Sequence, residues 1–452
     1  MTLQRAFELA EVSDNATSRD VIINLRGTHS LTPISLRGDS SQSTRVLIVG
    51  DGTAVITRNE NATGDPSAPL FTMEEGAVVI LDGIILNGEV LVKDGALDLR
   101  NTVIGDGSGG SFDSGGSGRR LQRDDAVRTQ QLRRWGLRVL GGSSSISGCT
   151  FAGLDGGAIT VHGGTLAVES CAFRNNRASA DGGAILLTGG DLMLSNSSFM
   201  DNEANSSGGA IAIRGGSADI ATCTFIGNSA GGDGGALHII GGAVRLYAGT
   251  LLADNRAFNG GALSLQFWQV TVDIEEATLR NNTAAAAGGA LFVAAGVVRV
   301  IDSDIEENTA GSAGGAAFIN VGTLMLMDGA AMMGNVAPVG SAASVGVGEL
   351  RYILPAPLGH WIAAAKTCRL DGPSQPCHSD FDPSATVGRV YSTFSVGVLD
   401  ENYPLLCAAG TYGTNDSSTQ IKSSCAGGAR RALQCAPVAR RALTYACARA
   451  SC

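Results

Sequence analysis

Residues 181–190 read DGGAILLTGG, two glycine pairs enclosing five residues of which three are large and apolar. So much backbone freedom around so little hydrophobic surface needs a repeated reason, and the chain supplies the repeat. Gly-Gly-Ala begins at Gly156, Gly182, Gly208, Gly234, Gly260, Gly288 and Gly314, at intervals of 26, 26, 26, 26, 28 and 26 residues. The second glycines are Gly157, Gly183, Gly209, Gly235, Gly261, Gly289 and Gly315, and an eroded GSAA follows at Gly340. Another Gly-Gly pair opens at Gly163, Gly189, Gly215 and Gly241, and asparagine keeps the same beat at Asn176, Asn202, Asn228, Asn255, Asn282, Asn308 and Asn335.

Between these landmarks apolar residues alternate, as Ile185 and Leu187, then Leu192 and Leu194, then Phe199 do, which is the period of strands. Phe173, Phe199, Phe225, Leu252, Leu279, Ile305 and Met332 form one column three residues before the asparagines. A unit of this size cannot bury its apolar face alone. Stacked in register at about 4.8 Å, each strand pairs with the units above and below. The expectation is an all-β, right-handed parallel β-helix with three short strands per coil, because parallel crossovers take that hand. Glycine suits its corners by accepting positive φ or close backbone approach, and asparagine tolerates left-handed geometry while its amide bonds to the next rung. Leucine-rich, hexapeptide and calcium-binding nonapeptide repeats do not fit the pattern.

The remaining sequence divides around this repeat. Residues 1–105 read as an N-terminal cap and first coils, with a short amphipathic helix expected in LQRAFELAE ahead of strand-rich segments such as GAVVILDGIILNG. Residues 106–136 read as a flexible Gly/Ser/Arg-rich insertion, 137–350 as the regular repeats and 351–452 as a Cys-rich C-terminal segment. Seven of the ten cysteines stand in that last segment without C-x-x-C spacing, so disulfides are expected there rather than zinc. Asn-x-Ser/Thr sequons begin at Asn15, Asn61, Asn196, Asn205, Asn281 and Asn415 and agree with an extracellular or cell-surface location. No secretory signal is legible at the start, so either export takes another route or the sequence begins late. A net charge of −10 gives no pull toward nucleic acid or anionic lipid, and no apolar run is long enough for a membrane helix.

The pairing of F-x-x-N with G-G-A-[ILV], as in FRNNRASADGGAI (173–185), FMDNEANSSGGAI (199–211) and FIGNSAGGDGGAL (225–237), resembles the repeats of the polymorphic outer-membrane proteins. The resemblance implies a pectin-lyase-like right-handed β-helix displayed on a cell surface, outer membrane or envelope if the source is bacterial, with an adhesive or structural role toward surface glycans or proteins. The terminal membrane barrel of bacterial members is not legible after residue 350, and LCAAGTYG resembles instead the Cys-rich modules of receptor-like proteins.

The glycine and asparagine columns read as scaffold, and no catalytic residue is assigned. Phe267 and Trp268 stand where the second Gly-Gly corner belongs, so they are candidates to stack on a sugar or an apolar partner, or else to pack beneath the next coil. The alternative to a binding protein is a polysaccharide lyase, hydrolase or epimerase, for which Asp155 with Asp181 and Glu276 with Asp302 are the carboxylate pairs on consecutive units. An acidic band from Asp273 to Glu307 offers at most a low-affinity calcium site, and no cofactor is called for. Cys149 and Cys171 share a column on adjacent coils, either as a bridge or as inward thiols.

Overall fold

The computed structural model describes residues 19–37, 44–59, 68–105 and 136–353, with short strands at His360–Trp361, Tyr391–Leu399, Leu405–Leu406, Thr411–Tyr412 and Ala426–Gly427. The described residues up to 353 form a right-handed parallel β-solenoid of about 11 turns, and no helix occurs among the described residues. The N-terminal helix expected in LQRAFELAE, all but residue 136 of the insertion expected at 106–136 and nearly all of the Cys-rich segment lie outside the described residues.

One coil shows the construction. Ile185–Leu187 lies on a first face, Asp191–Ser195 on a second and Ser198–Met200 on a third. Each strand pairs in parallel register with its counterpart one coil on: Ile185 with Ile211, Leu192 with Ala218, Phe199 with Phe225. Period-2 alternation turns Ile185, Leu187, Leu192, Leu194 and Phe199 inward, all buried in a continuous apolar core. A fourth strand of two residues, Glu203–Ala204, belongs to a separate sheet of six such pairs running from Arg177–Ala178 to Thr309–Ala310. Three strands per coil is therefore an undercount in the regular repeats. Two residues bearing one buried alanine carry too short an alternation to be read as a strand.

Three inward ladders hold the coils in step. The rings of Phe151, Phe173, Phe199 and Phe225 stack with centroids 4.9, 4.6 and 4.7 Å apart, then give way to Leu252, Leu279, Ile305 and Met332. The buried asparagines form the second ladder. Asn202 Nδ2 donates to Asn228 Oδ1 at 2.9 Å and to the Phe173 carbonyl at 3.1 Å, while Asn228 Oδ1 also accepts the Asn202 amide at 3.1 Å. The same pattern runs from Asn176 to Asn335, so amides buried at the corner have their donors and acceptors met by the next rung. The third ladder explains the cysteines of the repeat. Thr102, Cys149, Cys171, Ser197, Cys223, Thr250 and Ser303 occupy one corner position between the second and third faces. There Ser197 Oγ donates to the Ser195 carbonyl at 2.8 Å and accepts the Cys171 amide at 3.1 Å, and Cys171 Sγ meets the Glu169 carbonyl and the Cys149 amide in the same way. Cys149, Cys171 and Cys223 are free, buried thiols, and burial holds the Cys223 thiol up at about 11. A bridge between Cys149 and Cys171 is not formed.

The two glycines of each Gly-Gly-Ala do different things. Gly208 has φ +70°, which a Cβ resists. A Cβ on Gly209 would lie 2.6 Å from the Ser229 carbonyl and closer still to that of Gly235 in the next coil. Toward both ends of the solenoid the corners dissolve into long strands: Thr44–Arg58 and Ala77–Asn87 run over the second and third faces, and Ala343–Ile353 over the first and second. Tyr391–Leu399 pairs antiparallel with Ala343–Ile353 and closes that edge.

Candidate binding site

The face that departs from the repeat is the first, over the coils that begin at residues 237 and 263. In Leu237–Ile239 and Leu263–Leu265 the flanking leucines and isoleucine point into the core, so His238 and Ser264, in register with each other, point outward. Both are nonetheless buried, at 3% and 0% exposure. The cause lies at the two corners bounding this face. Arg214, just after the strand Ile211–Ile213, donates to Asp181 Oδ2 through Nη2 at 2.6 Å and Nε at 3.2 Å, and Gln266, just after Leu263–Leu265, donates from Nε2 to Asp233 Oδ2 at 3.1 Å. Each bond joins the end of one three-residue strand to the approach of the preceding coil's strand, so it passes over the outside of the face as a strap. Asp233 is held further by Asn259 Nδ2 on Oδ1 at 2.9 Å, and its own amide donates to Ser207 Oγ at 3.1 Å.

Beneath the straps, His238 Nδ1 and Ser264 Oγ have no hydrogen-bond partner. Burial keeps the imidazole below its ordinary value, with Asp233 and Asp181 pulling it up and Arg214 pushing it down. Burial pushes Asp181 up, but Arg214, Ser206 and the Ser207 amide outweigh it and leave the carboxyl below its ordinary value. Asp233, His238 and Ser264 bring carboxylate, imidazole and hydroxyl together, yet no hydrogen bond links the imidazole to the hydroxyl, so the arrangement is not an assembled nucleophile.

Exposed aromatic rings stand on the same coil. The corner after Leu265 spans 266–270, two residues longer than 188–190, and replaces the Gly-Gly pair with Phe267 and Trp268, 53% and 66% exposed. They do not pack beneath the next coil. Across the face, where the approach to Leu263 is one residue shorter than its predecessor, Phe258 is 54% exposed. It adjoins Asn259 as Phe267 adjoins Gln266, so the two residues that hold the Asp233 carboxylate each carry a ring beside them.

The carboxylate pairs of the sequence are not brought together in one place. Asp155 bridges to Arg177 rather than to Asp181, whose neighbour one coil on is Ser207, because the first Gly-Gly-Ala turn is built differently: Gly156 has φ 157° where its counterparts lie near +70°. Glu276 and Asp302 do stack, as exposed corner residues of left-handed φ (49° and 42°), followed by Asp328. Arg299 pairs with Asp273 and Arg245 with Glu275, and no group of three His, Cys, Asp or Glu able to hold a metal ion forms among the described residues. His162 bonds Thr188 at 2.8 Å. The sequence marked Phe267 and Trp268 but missed Phe258, His238, Ser264, Asp233, Gln266 and Arg214. The signals of them were the one-residue shortening before Gly260 and a histidine where the coils on either side carry alanine and serine.

With the solenoid and this face described, comparison with known proteins places the repeats. Residues 135–325 match the family of the right handed beta helix region. No curated protein and no solved structure matches the chain. No helix among the described residues is long and apolar enough to cross a membrane.

Proposed function

We propose that the chain is a non-catalytic extracellular or cell-surface protein whose solenoid presents a binding face for an adhesive or structural role toward surface glycans or proteins. The observation that carries this reading is the lengthened corner with Phe267 and Trp268. At the same place other coils turn on glycine, and here the chain spends two extra residues to hold large rings in water. Phe258 adds a third ring on the opposite corner. The sequons at Asn196, Asn205 and Asn281 fall on exposed corner positions and agree with the extracellular side of the reading. So does the resemblance of the repeat to polymorphic outer-membrane proteins.

A polysaccharide-active enzyme is the second reading, favoured by the acidic corner row of Glu276 and Asp302. One experiment separates them. The full chain is applied to immobilised polysaccharides and to cells while reducing or unsaturated products are assayed in solution. Retention without product, weakened at least tenfold in the Phe267→Ala, Trp268→Ala double variant, supports the binding reading. Product release abolished by Glu276→Gln or Asp302→Asn would replace it with the enzyme.

A further inference from the structure

We infer that His238 is an acid-operated latch on the Phe267–Trp268 corner, breaking the Gln266–Asp233 strap when it takes up a proton. The inference rests on the binding reading, since that corner is the binding element, but it concerns the chain alone.

Four observations meet here. The corner 266–270 lacks the glycine that its counterparts carry, and the side-chain bond that ties it across the first face is the one from Gln266 Nε2 to Asp233 Oδ2. Asp233 is half-buried and held by two neutral amides, those of Asn259 and Gln266, with no cation bonded to it. His238 lies under the strap on the outer side of its strand, 3% exposed, with Nδ1 unpartnered. The charged groups that act on its ring are Asp233, Asp181 and Arg214, and Asp181 and Arg214 are already joined to each other. Asp233 is thus the one carboxylate near the ring whose charge is not already met by a cation.

Burial favours the neutral ring, which lies between Ala212 and Ser264 on the outer side of the sheet. A proton on it creates a buried cation whose nearest uncommitted anion is Asp233. A bond from the imidazolium to Asp233 joins two opposite full charges away from bulk water, whereas the Gln266 amide brings no charge to the same carboxylate, so the imidazolium is the stronger partner. The carboxylate turns toward the ring, Gln266 loses its acceptor, and the corner carrying Phe267 and Trp268 is no longer tied to the preceding coil. The proton comes from solvent and returns to it as pH rises, so the latch is reversible. Because burial depresses the ring below its ordinary 6.5, it stays neutral and the strap stays closed at neutral pH; opening is expected only as pH falls below 6.5.

The test follows Trp268 in the full chain by fluorescence and acrylamide quenching between pH 8 and 4.5, with Trp268→Phe subtracted to remove Trp135 and Trp361. The expected result is a reversible one-proton change in quenching with its midpoint below 6.5, absent in His238→Gln. Asp233→Asn keeps the histidine but removes the anion that draws its proton, so its midpoint is expected to fall by about one pH unit; this variant decides the matter should His238→Gln fail to fold. A flat Trp268 signal in the unaltered chain, a transition that survives His238→Gln, or an unmoved midpoint in Asp233→Asn overturns the latch. None of these outcomes depends on whether the corner binds anything, so failure of the binding reading is read separately from retention on glycans and cells.

Discussion

The coil from Ile185 to Ala204 and the coil from Leu263 to Ala284 are built on the same plan and spend their residues differently. In the first, the corners are glycine, the outward residue of the first face is a half-buried leucine, and no ring is exposed. In the second, one corner has gained two residues and carries two rings in water, the approach that leads into it has lost one residue and carries a third, and the outward residue is a serine sealed under a strap. Inside, the two are alike: an asparagine donates to the next asparagine and a large apolar residue fills the third face. In a solenoid the inward ladders are tied to rung spacing and cannot vary one coil at a time, whereas corners and outward positions can. Stability should therefore live in the shared interior, and binding in what the irregular coil adds outside.

The comparison is broken most easily at the second glycine of a regular coil. Gly209→Ala forces a methyl into the Ser229 and Gly235 carbonyls, and a loss of about 4 kcal/mol in urea unfolding is expected. Gly249→Ala, at φ +81° with nothing within 4 Å, should cost only about 1 to 2 kcal/mol. Equal costs would mean that coil contact is not what the Gly-Gly pair protects. Next in size, Asn228→Ala strips the acceptor from the amide and Nδ2 of Asn202 and the donor from the Phe199 carbonyl; about 3 kcal/mol is expected by the same measurement.

Acid sharpens the contrast further. Asp181 has its folded value lowered, so it stabilises the fold above its ordinary 3.8 and that contribution is lost as pH falls through the folded value. His238 is also lowered, so its contribution is full above 6.5 and declines below it. Stability measured against pH should fall in two stages, the upper one missing in His238→Gln and the lower one reduced in Asp181→Asn. Cys171→Ser comes next, because Ser197 performs the same corner role one coil on; a change under about 1 kcal/mol is expected in thermal unfolding. Smallest of all, Trp268→Ala should leave stability within about 0.5 kcal/mol while weakening retention on the ligand surface.

The sequence made the interior legible because its constraints recur. The 26-residue beat of Gly-Gly-Ala, the Phe column and the Asn column each report a position that recurs from coil to coil, where the solenoid places a left-handed glycine turn, a stacked ring and an amide bonded to the next rung. The cysteine column was visible, but its role was not: only the hydrogen bonds show that Cys171 and Ser197 are equivalents. The outer face was hardest to read. That His238 is outward yet buried depends on Gln266 and Asp233, 33 residues apart, meeting across the face; Arg214 and Asp181 make the equivalent contact two coils earlier, but with a different donor and none in the coil between, so no regular period marks it. For the same reason Asp155 and Asp181 look paired by spacing, while a single irregular turn at Gly156 moves Asp155 against Arg177.

The most direct measurement is a double-mutant cycle on the asparagine ladder in the full chain, replacing Asn202 and Asn228 by leucine singly and together, with Asn202 and Asn308 as the distant control. Adjacent rungs that share two hydrogen bonds should be coupled, the double variant losing about 1 to 2 kcal/mol less than the sum of the singles, while the control adds within about 0.5 kcal/mol. Simple additivity for Asn202 and Asn228 would contradict the stacked register on which every other assignment stands.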